Sequence, residues 1–324
     1  MSVILYTENW NGKFKKLSFE LCSYGFEIAK NLNVPLVAVS IGNVAADELA
    51  KLGTYGVSKI LTFDSPDVAV LDNRVYTAVI AEAAKAENAK VVVLANTLSG
   101  KALAPRLSVH LKAGLVGGAM ALPESYEPFI VSKKAFTGNA LAKVQIKTAV
   151  KIVTLTQNAY QINENPVQPA VTAFAPASIS GLASTQLKES NMYSGKVLLT
   201  DAEIIVSGGR GMRGPENWAP IEELADLLGA GTACSRPVSD EGWRPHAEHV
   251  GQTGKVVAPN LYFAIGISGA IQHIAGVSGS KFIVAINKDP EAPVFQTANY
   301  GVIGDAQQIL PELVKAVKEF KSGQ

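Results

Sequence analysis

Four short runs in the second half of this 324-residue chain hold the side chains best suited to chemistry. They are Ser207-Gly208-Gly209-Arg210-Gly211, Cys234-Ser235-Arg236-Pro237, Val250-Gly251-Gln252-Thr253-Gly254-Lys255 and Ser268-Gly269-Ala270-Ile271-Gln272-His273. The last follows the apolar run Tyr262–Ile267. Ala270, Ile271, Ile274 and Ala275 then recur at helical spacing, so a helix must begin after Ser268-Gly269. A helix N-terminus behind small residues offers free backbone N–H groups and the positive end of a dipole, which suits a phosphate or another anion. The alternative is a tight turn that packs a helix on a sheet. Taken by itself, Arg236 reads as a loop arginine paired with Asp240 or Glu241, and a lone histidine such as His273 on a short helix as structural. His246 and His249 lie in an exposed-looking polar loop, WRPHAEHV. Their i,i+3 spacing lacks a third metal ligand, so no metal is expected.

Several chemistries are missing. There is no GxSxG, HExxH or Walker lysine motif. Lys255 in GQTGKVV imitates the last, but the first glycine is misplaced and Val256 stands where Ser or Thr is needed. No pair of carboxylates is set up for acid/base work in these runs. These runs hold no substrate-transforming acid/base apparatus, so no catalytic residues are expected in them.

GGRG, SRP, VGQTGK, LYFAIGISGAIQH and VAINKDPEAPVF, in that order, closely resemble the C-terminal domain of the electron transfer flavoprotein α-subunit family. The resemblance is strong over about residues 195–324, whereas residues 1–185 agree in size and strand pattern without a comparable motif. It implies FAD, one per heterodimer with a homologous β subunit that itself could hold AMP. It implies that Arg236 lies over the isoalloxazine ring, where a guanidinium favours anionic reduced flavin. His273 would point at the pyrimidine edge as a hydrogen-bond donor. Thr253 matches a hydroxyl near flavin N5, with Val250, Gly251 and Gln252 in the same ring-facing loop. Ser268, Gly269, Ala270, Ile271 and Gln272 would meet the pyrophosphate or ribityl chain. Arg210 and Ser235 match further contacts, and Asn287 and Asp305 match polar contacts at the adenosine side. Asp305 also reads as a helix N-cap and Asn287 as a strand-end turn. Electrons would arrive from acyl-CoA or other flavin dehydrogenases, as in fatty acid β-oxidation, and leave to a quinone oxidoreductase. A pyridine-nucleotide-dependent enzyme is the rival from another class. An electron-bifurcating variant of the same family is a second alternative.

The balance of 29 basic and 28 acidic residues gives a net charge of +1, so nothing calls for nucleic acid or an anionic membrane. No run approaches the roughly 18–20 apolar residues that cross a bilayer. The chain opens directly on a strand, VILYTEN, without a charged and apolar leader, so a bacterial cytoplasm is expected; a processed organellar protein would look the same. Cys22 and Cys234 are too few for a disulfide framework.

The elements behind these runs alternate between strand and helix. Val3–Tyr6, Leu36–Ser40, Lys59–Phe63 and Val91–Ala95 are continuous apolar runs separated by helical patterns, which argues a parallel sheet covered on both faces. The turn Asn9-Trp10-Asn11-Gly12 lacks a GxGxxG fingerprint, so no nucleotide is expected there. Residues 97–118 read as a helix with small residues, then GLVGGA. Phe129–Phe136, Lys143–Thr156 and Tyr160–Ile162 read as an antiparallel addition. Residues 164–196 hold Pro166, Pro169 and Pro176, then a polar run, and form the expected linker region. The domain limits are set at 1–185, a linker at 186–196, and 197–324. The second domain is expected to be a flavodoxin-like or Rossmann-like α/β unit. Pro220 starts one of its helices, Gly229 ends it, and Pro311 opens the last helix with Leu313, Val317 and Phe320 inward. The fold class is therefore α/β, two domains, each a mainly parallel sheet flanked by helices.

Overall fold

The computed structural model describes residues 1–138, 140–177, 179–189 and 198–323. The expected linker at 186–196 lies mostly outside them. The chain divides into two compact units, Met1–Asn191 and Met192–Gln324.

The first unit is built on a ten-stranded sheet. Its main path runs Ala140–Ile146, Phe129–Ala135, Gly114–Ala119, Lys151–Leu155, Ala89–Ala95, Ser2–Thr7, Leu36–Ile41, Lys59–Phe63, Ala170–Ala173. From Gly114–Ala119 onward every pairing is parallel. Val3 and Leu5 enter one apolar core, Ile4 and Tyr6 the other, which is why this strand is apolar at every position.

The expected antiparallel addition is only partly present. Phe129–Ala135 and Ala140–Ile146 do form an antiparallel pair. Lys151–Leu155, however, inserts in parallel between Gly114–Ala119 and Ala89–Ala95. Its run Ile152-Val153-Thr154-Leu155 is buried throughout, the mark of a central parallel strand, whereas Ala140–Ile146 alternates. Tyr160–Ile162 forms no strand. The buried Glu20 carboxylate accepts the Asn158 and Tyr160 N–H groups at 3.0 Å each and holds a turn there. The helix expected over 97–118 spans Leu98–Leu111 and gives way to the strand Gly114–Ala119.

The Pro-rich stretch read as the start of a linker is strapped to this unit. Asn165 and Val167 donate N–H to the Thr54 and Gly53 carbonyls, and Ala170–Ala173 pairs with the edge strand Lys59–Phe63. Prolines suit such an edge, where an N–H is not needed. Asp72 caps the helix Asn73–Ala86 through the Arg74 N–H, and its second oxygen accepts the N–H and hydroxyl of both Ser184 and Thr185. Donation from the Ser184 N–H, first among these bonds, holds the carboxyl well below the usual range.

The second unit has five parallel strands in the order Gly231–Cys234, Ile204–Gly208, Leu261–Ile265, Phe282–Asn287, Tyr300–Ile303. Numbered along the chain this is 2-1-3-4-5, the flavodoxin-like doubly wound order. Tyr262 and Ala264 enter one core and Phe263 and Ile265 the other. The helix Ala219–Leu228 ends on Gly229 at φ +62°, as expected. The last helix starts before Pro311: it spans Ala306–Ser322, with Asp305 as its cap accepting from Gln307 N–H. Its buried face is Ala306, Leu310 and Val314. Leu313 and Val317 pack at the margin, while Phe320 is exposed, contrary to expectation.

Asp72→Ala removes a helix cap and leaves the Ser184 and Thr185 donors without their acceptor. It should destabilise the first unit by at least about 2 kcal/mol in chemical denaturation. It should also speed proteolysis between Phe174 and Glu189. Unchanged stability and cleavage would show that the strap holds nothing.

Candidate functional site

In an open parallel sheet, ligands bind beyond the carboxyl ends of the strands where the strand order reverses. In the second unit that point lies between Ile204–Gly208 and Leu261–Ile265. The two chains leaving it touch backbone to backbone. Gly209 donates N–H to Ile265 O at 2.8 Å and Gly211 to Gly266 O at 3.0 Å. A methyl on Gly209 would stand 2.2 Å from Gly266 O, and one on Gly211 2.7 Å from Gly266 Cα. No side chain fits either place, so the GGRG spacing is a packing requirement. Between the glycines, Arg210 is exposed and pairs with Glu241 at 3.2 Å.

The neighbouring strand ends at Cys234. Ser235 is buried and bonds back to Gly208 O, and Arg236 opens the short helix Arg236–Asp240. Arg236 does pair with Asp240, Nε to Oδ2 at 3.1 Å, as its residues alone suggested. Its Nη1 also donates to Thr253 Oγ1 at 3.1 Å. Thr253 rides on the loop Val250–Lys255, which is wedged between two elements. Val250 N–H reaches Cys234 O at 3.0 Å, and Gln252 N–H reaches Gln272 O at 2.7 Å. A methyl on Gly276 would lie 2.5 Å from Gly251 Cα. Arg236, Val250, Gly251, Gln252, Thr253, Gln272 and His273 are thus brought together.

The third strand delivers the turn Ser268-Gly269, with Gly269 at φ +87°. The short helix Ile271–Val277 follows. The backbone N–H groups of Gly269, Ala270, Ile271 and Gln272 make no hydrogen bond to other described residues. Asn287, at the end of the fourth strand, is engaged within the protein: it donates to Ile267 O at 2.9 Å and accepts from Asp289 N–H at 3.0 Å. Asp305, beyond the fifth, combines its cap with an ion pair to Arg213. The Gln307 N–H, then Arg213, lower its carboxyl below the ordinary value.

His273 is buried. Its Nε2 lies 2.9 Å from the Tyr262 hydroxyl, and its Nδ1 has no hydrogen-bond partner. Burial, the largest cause, brings its pKa down to about 4; the Val250 carbonyl opposes this and His249 adds to it. The ring is therefore neutral at pH 7 and can donate a hydrogen bond but brings no charge. Burial also raises the Tyr262 phenol, which stays protonated.

Sequence reasoning missed three residues here. Arg213 lies three residues past Arg210 in the same Gly-rich run. Tyr262 starts an otherwise apolar strand, and a buried tyrosine hydroxyl calls for a partner. His249, read as exposed, is buried at 2% exposure, while His246 is exposed. No group of three His, Cys, Asp or Glu placed to hold a metal occurs among the described residues.

Residues 198–278 match the electron transfer flavoprotein FAD-binding domain, and residues 3–184 match the electron transfer flavoprotein domain. The chain is 35% identical over 320 residues to the electron transfer flavoprotein subunit alpha of Syntrophomonas wolfei, covering 97% of this chain and 98% of that protein. The corresponding subunit of Pseudomonas aeruginosa is 37% identical over 321 residues, covering 98% and 100%. That of Bacillus subtilis is 34% identical over 319 residues, covering 98% of each. The chain belongs to the electron transfer flavoprotein α-subunit family.

Its second unit is the FAD-binding domain, and FAD is its cofactor. The residues fit that group. Four successive amides without a protein acceptor suit the oxygens of a pyrophosphate. The unpartnered Nδ1 of His273 and the guanidinium of Arg236 suit a polar, electron-accepting ring.

The depressed histidine gives a pH test. An unfolded chain binds a proton near pH 6.5 that the folded one refuses until about pH 4. Stability is therefore full above pH 6.5 and falls as pH drops toward 4, by roughly 3 kcal/mol from this group. Chemical denaturation of wild type and His273→Gln at pH 7 and pH 4.5 should show a smaller pH loss in the variant. Equal losses would mean that the ring is not held neutral.

Proposed function

We propose that this chain is the α subunit of a two-subunit electron carrier that holds FAD across the strand ends of its second unit. The observation that carries the reading is the convergence there of free backbone amides, a neutral buried imidazole and an arginine bonded to a loop hydroxyl. When bound, FAD supplies the electron-transfer chemistry. The protein's part is to hold it and to bias its charge states. The amides of Gly269–Gln272 hold the pyrophosphate, helped by Ser268 and by Arg210. Ser235, Val250, Gly251, Gln252 and Thr253 line the ring side. Arg236 sets the local potential, and His273 contributes a hydrogen bond to the ring edge. Asn287 and Asp305 shape the adenosine side through the turn and helix they fix. The carboxylates of Asp240 and Asp305 at these strand ends are engaged by Arg236 and by the Gln307 N–H, which supports a carrier over a substrate-transforming enzyme.

The partner in this reading is the homologous β subunit, which could hold AMP. Electrons enter from acyl-CoA or other flavin dehydrogenases and leave to a quinone oxidoreductase, a place in fatty acid β-oxidation within a bacterial cytoplasm. No helix among the described residues is long and apolar enough to cross a membrane, which accords with that placement.

Co-expression with the β subunit should give a yellow complex with one FAD per heterodimer. In that complex Arg236→Ala should keep its FAD and lower the first one-electron reduction potential. A buried charged hydrogen bond is worth roughly 1.5–3 kcal/mol, and 59 mV is tenfold in a one-electron equilibrium. Arg236 is exposed and shares its charge with Asp240, so solvent and that partner cut the effect to about 30–60 mV. Lost FAD with an unchanged potential in the remainder would make Arg236 an anchor. An unchanged potential with FAD retained would remove it from the site.

A further inference from the structure

The loop carrying Gln252 and Thr253 is folded around an imidazole that the foregoing account does not use. His249 bridges to Cys234, donates its N–H to His246 O at 3.1 Å and accepts Lys255 N–H at 2.9 Å. Its ring lies between the two glycines of the turn. A methyl on Gly254 would stand 2.7 Å from its Nδ1, and one on Gly251 3.4 Å from its Nε2. The same methyl on Gly251 would lie 3.8 Å from His273 Cα, so the loop is the wall between the two rings. Nδ1 of His249 is buried without a hydrogen-bond partner.

A neutral ring protonated at Nε2 leaves Nδ1 as a bare acceptor, which this packing tolerates. A charged ring needs an acceptor at both nitrogens. Nδ1 has none, and the Gly254 backbone seals it, so a proton taken up from solvent can be accommodated only if the turn opens. The surrounding groups lean the same way. Burial opposes the charge most, then His246, whose ring centroid is 5.4 Å away, then Arg236; only Asp240 favours it. From the other elements packed here, Cys234 is a buried thiol, His273 is neutral, Glu248 is committed to Arg244, and Lys255 Nζ donates to Ala247 O.

We propose that His249 is a positioning residue for the flavin-facing loop: Val250–Lys255 keeps Thr253 against Arg236 only while this ring is uncharged, so that its protonation sets the acid limit of the environment around bound FAD. The proposal rests on the FAD site described above. His249 itself touches neither Arg236 nor Thr253 by hydrogen bond and acts through the loop backbone.

The test uses the α–β complex loaded with FAD, its visible circular dichroism followed from pH 8 to pH 4.5, with released FAD measured by filtration at each step. Wild type should show one transition with a midpoint below 6.5. His249→Gln and His249→Asn, which cannot take the charge, should lose it, and His246→Gln should keep it with the midpoint moved upward. A transition of unchanged midpoint in a His249 variant overturns the proposal. So does a wild-type signal that stays constant with FAD bound. If neither His249 variant folds, the exposed His246→Gln decides, because an unmoved midpoint then excludes His249 as the titrating group. A complex without FAD at pH 8 refutes the flavin site and this proposal with it. FAD bound without the histidine-dependent transition refutes this proposal alone.

Discussion

Gly209 and Gly211 press against Gly266 at the point where the strand order of the second unit reverses, and the rest of the site is hung from that contact. It brings two strand exits close enough for N–H to O bonds of 2.8 and 3.0 Å. It fixes where Arg210 emerges and where the Ser268 turn begins. A second contact of the same kind, Gly276 on Gly251, sets the short helix against the loop of Gln252 and Thr253. Once both are made, the third participant, Arg236, needs only its place at the end of Gly231–Cys234 to reach Thr253. The first unit has its own reversal, between Ser2–Thr7 and Ala89–Ala95. There the Glu8 carboxylate accepts the Thr97 hydroxyl at 2.5 Å, and Thr97 caps the helix Leu98–Leu111. A carboxylate across that crevice is unsuited to a phosphate. The first unit's order from Lys59–Phe63 to Ala89–Ala95 is 3-2-1-4, different from the 2-1-3-4-5 of the second, and its crevice presents a carboxylate where the second presents backbone amides.

Charge in the second unit is divided by burial. The cations, Arg210, Arg213 and Arg236, stand at the surface, each answered by Glu241, Asp305 or Asp240. The interior holds neutral polar groups: Tyr262, His273 and His249. Among these groups permanent charge stays where water screens it and the neutral ones act by hydrogen bonding and shape, while the largely buried Arg244–Glu248 pair keeps its charge through two hydrogen bonds of 2.8 and 2.9 Å. His273 and Arg236 therefore differ in kind as influences on a flavin, although sequence alone puts them side by side.

The parallel strands and the glycine turns were legible because their signals are local. Continuous apolar runs mark buried strands, and glycines mark close approaches. Where position depends on distant partners, the pattern misleads. The polar neighbours of His249 suggest an exposed loop, yet Cys234 and Lys255 draw its backbone inward. Prolines at 166, 169 and 176 suggest a linker, yet an open sheet edge and Asp72 capture the stretch. Lys151–Leu155 follows directly on an antiparallel pair and joins the parallel core instead, since only its burial on both faces distinguishes it. Pro311 suggests a helix start, but Asp305 supplies a better cap six residues earlier.

Hydrogen–deuterium exchange of the α–β complex with and without FAD tests the central claim most directly. FAD should slow exchange at Gly208–Gly211, Cys234–Arg236, Val250–Gly254 and Ile267–His273. Exchange should stay unchanged at the strand ends of the first unit, Thr7–Trp10 and Asn96–Gly100. Protection confined to those first-unit segments, with none at the Gly209–Gly266 contact, would contradict the account.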